Sequence, residues 1–182
     1  IALDNDNLPV VLWRHVFEGQ IRDQALIKFK DWNTPGSLNR ASEDNWKIEA
    51  CPHHGPTLAI DHTGRYHIAW FSGAAEHQGL FYSFSDDQGK RYSAAYPLGN
   101  QGAKHPHIAV LGDRIAISWS EFDGSHNLIR IIESDNNGES WSAPRTVGSS
   151  KNKADYGFLL TDGEGIYLSW LTEDGYQLKP LD

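Results

Sequence analysis

The chain has 182 residues, a formal net charge of -8, and seven each of Trp, Tyr and Phe. Such an aromatic content excludes a disordered chain, and no apolar run reaches the length of a membrane-spanning helix. There is no basic patch, which argues against nucleic acid as a partner, and the single cysteine, Cys51, cannot form an internal disulfide.

In chain order the sequence reads as short strands separated by turns. The first unit offers strands at 1–3, 9–16 and 21–29, then a poorly defined outer strand before Trp46. The second offers 57–60, 66–72, 80–85 and 94–98, with a turn at His62-Thr63-Gly64 and a loop over 73–79. The third offers 107–111, 114–120, 128–133 and 145–147, and the last 157–160, 165–171 and 176–181. Alternating apolar and polar residues punctuated by Gly, Asp and Asn predict an all-β chain with no room for a helical period.

The second strands are near-copies of one another: RYHIAWFS at 65–72, RIAISWS at 114–120, GIYLSWL at 165–171 and, more weakly, VVLWRH at 10–15. They carry Trp70, Trp119, Trp170 and Trp13 at or near their ends. A repeat of roughly fifty residues lies in the range of radial β-arrays. Four-stranded units repeated in this way predict a β-propeller, with blades at roughly 1–45, 46–103, 104–153 and 154–182. The apolar core is expected at Leu58, Ile60, Ile68, Trp70, Ile115, Ile117, Trp119, Ile166, Leu168 and Trp170. Ile1 leads straight into a strand and no signal peptide is visible. The expectation is the C-terminal four blades of a larger, six-bladed ring, with a self-contained four-bladed ring as the alternative. The first and last units of such a four-blade portion would expose apolar faces, favouring poor solubility or self-association.

Two turns between third and fourth strands share a signature. One is Ser85-Asp86-Asp87-Gln88-Gly89-Lys90-Arg91-Tyr92, the other Ser134-Asp135-Asn136-Asn137-Gly138-Glu139-Ser140-Trp141. Both resemble the Asp-box, S-x-D-x-G-x-x-W, of sialidase-like propellers with bacterial neuraminidase repeats. The first ends in Tyr92 in place of Trp, and the second has Asn136 in place of Asp. The segment ACPHHGP at 50–56 and the ending GYQLKPL narrow the resemblance to exported bacterial members of that group. It implies a secreted or periplasmic protein whose ligand, a glycan or other small polar molecule, binds at the mouth of a central channel.

In such a fold the mouth is formed by the loops leading into first strands and those joining second to third strands. The first set supplies Cys51, His53 and His54, then Lys104, His105 and His107, then Lys153, Asp155 and Tyr156. The second supplies Glu18, Arg22 and Asp23, then Glu76 and His77, then Glu121, Asp123 and His126. The candidate ligand-binding residues are Arg22, His53, His54, His77, Lys104, His105 and His107. The resemblance also implies a hydrolytic alternative, with Tyr156 as nucleophile, Glu76 or Glu121 as its partner, and Asp23 as a further acid. Sialidases clamp the substrate carboxylate with three arginines. Where the later two would stand, this chain has Lys104, His105 and Lys153, which cannot copy guanidinium geometry. Arg14, Arg65 and Arg114 lie in or beside second strands and read as structural. A third reading gathers Cys51 with the histidines around zinc or copper, though their spacing matches no compact ligand motif. The preferred reading assigns no cofactor.

Overall fold

A computed structural model describes residues 1–50 and 52–181. Among the described residues fifteen strands form four separate antiparallel sheets, with no α-helix. The first sheet holds β1 (Ala2–Leu3), β2 (Pro9–Arg14), β3 (Gln24–Asp31) and β4 (Thr34–Arg40). The second holds β5 (Thr57–Ile60), β6 (Tyr66–Ala74), β7 (His77–Ser85) and β8 (Tyr96–Leu98). The third holds β9 (Lys104–Leu111), β10 (Arg114–Phe122), β11 (Asn127–Ser134) and β12 (Arg145–Ser150). The fourth holds only β13 (Phe158–Thr161), β14 (Ile166–Thr172) and β15 (Gly175–Pro180). Each is a simple meander in chain order, and none closes on itself.

The sheets pack in sequence. Val10, Leu12 and Leu26 of the first meet Ile68 and Trp70 of the second. Leu80 and Tyr82 of the second meet Ile115, Ile117 and Trp119 of the third. Ile129 and Ile131 of the third meet Leu168 and Trp170 of the fourth. Second strands are apolar along most of their length because inner sheets are covered on both faces. Of the expected core residues, Leu58 and Ile60 are half-buried and the rest are buried. First strands are also tied to each other: Ile108 N–H donates to Thr57 Oγ1 at 3.3 Å and Leu159 N–H to His107 Nδ1 at 3.2 Å. Arg65 donates to Asn137 O of the third sheet at 2.9 Å, and Arg114 to Leu181 O, after the fourth, at 2.7 Å.

The two shared-signature turns fold alike. Ser85 Oγ and Ser134 Oγ each accept the N–H of the turn glycine, Gly89 or Gly138, at 2.9 Å. Asp87 Oδ1 accepts Arg91 N–H at 2.8 Å, and Asn136 Oδ1 accepts Ser140 N–H at 3.0 Å. Both glycines have φ near +80°, at 81° and 82°. A side chain on Gly138 would also run into the Tyr82 hydroxyl of the preceding sheet, as one on Gly89 would meet Leu26. The turns thus close the seam between sheets. Because Asn136 uses the same oxygen as Asp87, Asn136→Asp should change stability by less than about 0.5 kcal/mol, whereas Asn136→Ala should cost about 1 kcal/mol. Urea unfolding midpoints for the two variants check this.

Two expected boundaries are corrected. The loop expected over 73–79 is a two-residue hairpin turn, with Ala74 paired to His77. Gly73 lies within β6, not in a loop: a Cβ there would stand 2.6 Å from the Trp46 indole. The outer strand of the first sheet is β4, hidden in the sequence by Pro35 and Gly36, which an edge strand tolerates. Phe158, Leu160, Leu171, Tyr176 and Leu178 of the fourth sheet are exposed.

Candidate functional site

In a meander, the start of each first strand and the hairpin between second and third strands lie at the same end of a sheet. At that end the second-strand tryptophans find acceptors for their indole N–H groups. Trp70 donates to Asp44 Oδ2 at 2.7 Å, Trp119 to Glu121 Oε1 at 2.7 Å, Trp170 to Asp155 O at 2.8 Å and Trp13 to His15 Nδ1 at 3.3 Å. A buried indole nitrogen needs such a partner, so this end of the sheets carries several acceptors.

A groove of about 460 Å³ runs between the inner strands, lined by Leu12, Leu58, His105, His107, Tyr156 and Phe158 among others. The His105 ring stacks on Tyr156 at 3.3 Å between centroids, and on its other side lies 4.6 Å from His54. His54 in turn lies 4.5 Å from Phe71, and Phe71 lies 5.7 Å from Trp46. Arg14 faces the Trp46 ring at 5.0 Å and donates to Phe71 O at 3.0 Å. The row therefore crosses three sheets, with the half-exposed Tyr156 at its open end.

The backbone holds His105 in an unusual way. Its φ is +55°, at a register shift where β9 bulges against β10 between Ser118 and Ser120. A non-glycine residue in the left-handed region is uncommon, and bulges re-aim side chains. Here the bulge sets the imidazole between His54 and Tyr156. Burial lowers the His105 pKa to about 4, helped by His54 and Lys104. Burial lowers His54 too, reinforced by Arg14 and Lys104, and lowers His107. All three are neutral imidazoles near pH 7, each with a donor and an acceptor nitrogen. His107 Nδ1 is taken by Leu159 N–H, while His54 Nδ1 is buried with no partner.

An adjoining recess of about 130 Å³ is lined by Lys104, Glu121, Asp155 and Tyr156. Glu121 Oε1 there accepts both the Trp119 indole and Asn100 N–H, at 2.7 and 3.2 Å.

The structure thus brings together His54, Lys104, His105, His107, Glu121, Asp155 and Tyr156 of the sequence-derived candidates. It places the others elsewhere. Asp23 is fully buried, ion-paired to Arg40 and accepting Asn45 N–H and Trp46 N–H, so its carboxylate is closed to any ligand. Arg22 is half-buried with Nε unpartnered, and it does not line the groove. Glu76 is at the exposed tip of the β6–β7 hairpin, and His53 is exposed. His77 pairs with Asp44, outside the groove. Cys51, the thiol of the metal reading, lies outside the described residues. Among the described residues no three His, Asp or Glu side chains gather as a metal site. Sequence reasoning missed Asp44, Trp46 and Phe71. The one signal for Asp44 was the need of a buried indole for an acceptor.

No family model matches this chain, and no curated protein does. Among solved structures it is similar to an α-L-arabinofuranosidase from Lactobacillus brevis, with a TM-score of 0.57 and 8% identity, over 97% of this chain and 70% of that one. It is also similar to 1,3Gal43A, an exo-β-1,3-galactanase from Clostridium thermocellum, with a TM-score of 0.55 and 16% identity, over 95% of this chain and 43% of that one. At such identities the likeness is one of all-β fold. No helix among the described residues is long and apolar enough to cross a membrane.

Proposed function

We propose that this chain is four consecutive blades of a sialidase-like β-propeller, divided at 1–45, 46–103, 104–153 and 154–182, and that its groove binds a glycan. Sheet-by-sheet packing and the paired turn networks support the propeller and its Asp-boxes. Two structural neighbours whose names denote enzymes acting on glycans support the ligand class. The observation that carries the reading is the His54–His105–Tyr156 row at the groove rim. A flat face beside nitrogens that donate and accept suits a sugar ring, which has apolar C–H faces and hydroxyl edges. Export to the periplasm or medium follows from the same family resemblance.

Calorimetric titration with a panel of neutral and acidic oligosaccharides tests it. Tyr156→Ala is expected to weaken binding by about fivefold to tenfold, as loss of a stacking face costs about 1–1.4 kcal/mol. No saturable binding across the panel, or wild-type affinity in the variant, ends the reading.

Hydrolysis is the second reading, favoured by the recess that Tyr156 shares with Glu121 and Lys104. In it the Tyr156 oxygen bonds to the anomeric carbon as the glycosidic bond breaks, Glu121 takes the phenol proton and the departing oxygen takes a proton from water; the hydroxide left then displaces the tyrosine, which recovers its proton from Glu121. Assay on chromogenic arabinosides, galactosides and sialosides, with Tyr156→Phe alongside, decides between binding and turnover.

A further inference from the structure

A second cleft, of about 560 Å³, opens where the segment after β4 meets β7 and the turn that follows it. It is lined by Asp44, Trp70, His77, Lys90, Arg91 and Tyr92 among others. Its chemistry centres on Asp44 and His77. The Asp44 side chain is only 4% exposed, that of His77 54%. Asp44 Oδ2 accepts the Trp70 indole at 2.7 Å, and Oδ1 faces His77 Nδ1 at 3.3 Å. The His77 ring also lies on Phe81, at 5.1 Å and 21°.

A carboxylate only accepts, so in the neutral imidazole the ring proton sits on Nδ1 and Nε2 carries the lone pair. A buried carboxylate that orients a half-exposed histidine is costly to desolvate. The hairpin does not need it, since β6 and β7 are already paired through Ala74 and His77. The arrangement leaves one fixed acceptor, Nε2, and no described protein group uses it.

The surrounding charges narrow the ligand. Arg40 is paired with Asp23 and Arg91 with Asp87, and Asp44 spends both oxygens on Trp70 and His77. An anion would find only Lys90 uncommitted and would approach Asp44. A cation would find Glu43 alone, exposed at the rim. What fits an acceptor nitrogen, an ammonium donor and the Tyr92 ring is an uncharged molecule rich in hydroxyls.

Resting on the glycan reading of the groove, we infer that the Asp44–His77 cleft is a second carbohydrate site. There a neutral sugar donates a hydroxyl hydrogen bond to His77 Nε2. The site is separate from the groove and takes a different part of the chain or a second molecule.

The test is an NMR titration of the histidine side-chain nitrogens with arabinotriose and galactotriose, with digalacturonic acid as the acidic counterpart. His77→Ala and Tyr156→Ala are run in parallel. His77 sits beside an exposed turn, so its alanine variant should fold. The expected result is a saturable shift of His77 Nε2 with a neutral trisaccharide. It should persist in Tyr156→Ala, and Asp44→Asn should weaken it about tenfold by freeing the tautomer. Shifts at His105 without any at His77 overturn this inference and leave the groove reading standing. Shifts at His77 without any at His105 do the reverse. Silence at both overturns both. A response only to the acidic sugar, or loss of the His77 shift in Tyr156→Ala, also overturns the second site.

Discussion

Replacing Trp119 with alanine should destabilise the protein by about 3–5 kcal/mol, the usual cost of emptying a buried tryptophan site. Trp119 is 1% exposed and belongs to the cluster that joins the second and third sheets. Its indole nitrogen is hydrogen-bonded to Glu121, and a Cβ on Gly99 would stand 2.6 Å from it, so the site is filled to contact. Removing the ring leaves a cavity that sheets on both sides cannot close without shifting register. It also strips Glu121 of a donor. The buried Trp70 and Trp170 hold equivalent places and should behave alike. Trp13, half-buried with a longer bond to His15, should cost much less, on the order of 1–2 kcal/mol. Urea midpoints of the four alanine variants give the ranking. A Trp119→Ala loss below about 1 kcal/mol, or a Trp13 loss as large as Trp119's, would overturn this ranking.

That ranking depends on what the sequence exposes well. Second strands were legible because they are largely buried, and a repeat ending in Trp leaves a strong pattern. The fourth strand of the first sheet was not. β4 begins Thr-Pro-Gly, and Gly36 is required because a Cβ would strike Lys28 O. Such an edge is defined by its neighbour rather than by its own side chains. Gly73 misled in the opposite way, resembling a loop residue while making room for the Trp46 indole.

The site was legible as an end of the molecule but not as a set of contacts. Antiparallel topology alone assigns His54, His105 and Tyr156 to one end. Their stacking depends on the φ of +55° at His105, and the dipeptide His105-Pro106 does not announce a bulge. Asp23 looked like a ligand acid because it follows Arg22 in a loop. Yet Arg40, which lies 17 residues away, occupies it. Asp44 was invisible because the segment between β4 and β5 has no periodicity, and its role comes from Trp70 and His77 across the sheet boundary.

Stability should fall as the pH drops from about 6.5 towards 4, before most carboxylates titrate. Burial lowers the pKa of His54, His67, His105 and His107 below the ordinary histidine value, His105 to about 4. In that window the unfolded chain binds more protons than the folded one, so each lost pH unit favours unfolding. The contribution is complete above the unfolded histidine pKa and is lost as pH falls through the folded one. His67 shows why the neutral form is built in. Tyr82 Oη–H donates to its Nδ1 at 2.8 Å and its Nε2–H donates to Asp61 at 3.3 Å. A second ring proton would oppose the Tyr82 hydroxyl hydrogen, and that hydroxyl abuts Gly138 of the third sheet. The depressed Asp61 pKa adds a further loss below pH 4. For His105 the lowering to about 4, discounted for partial exposure, corresponds to about 1–2 kcal/mol. His105→Asn is the informative variant, because asparagine tolerates the left-handed backbone. It should remove that 1–2 kcal/mol from the difference in stability between pH 7.5 and pH 4. Urea denaturation across that range measures the slope. A flat wild-type profile above pH 4.5, or an unchanged slope in His105→Asn, would overturn the assignment of these histidines as buried neutral imidazoles.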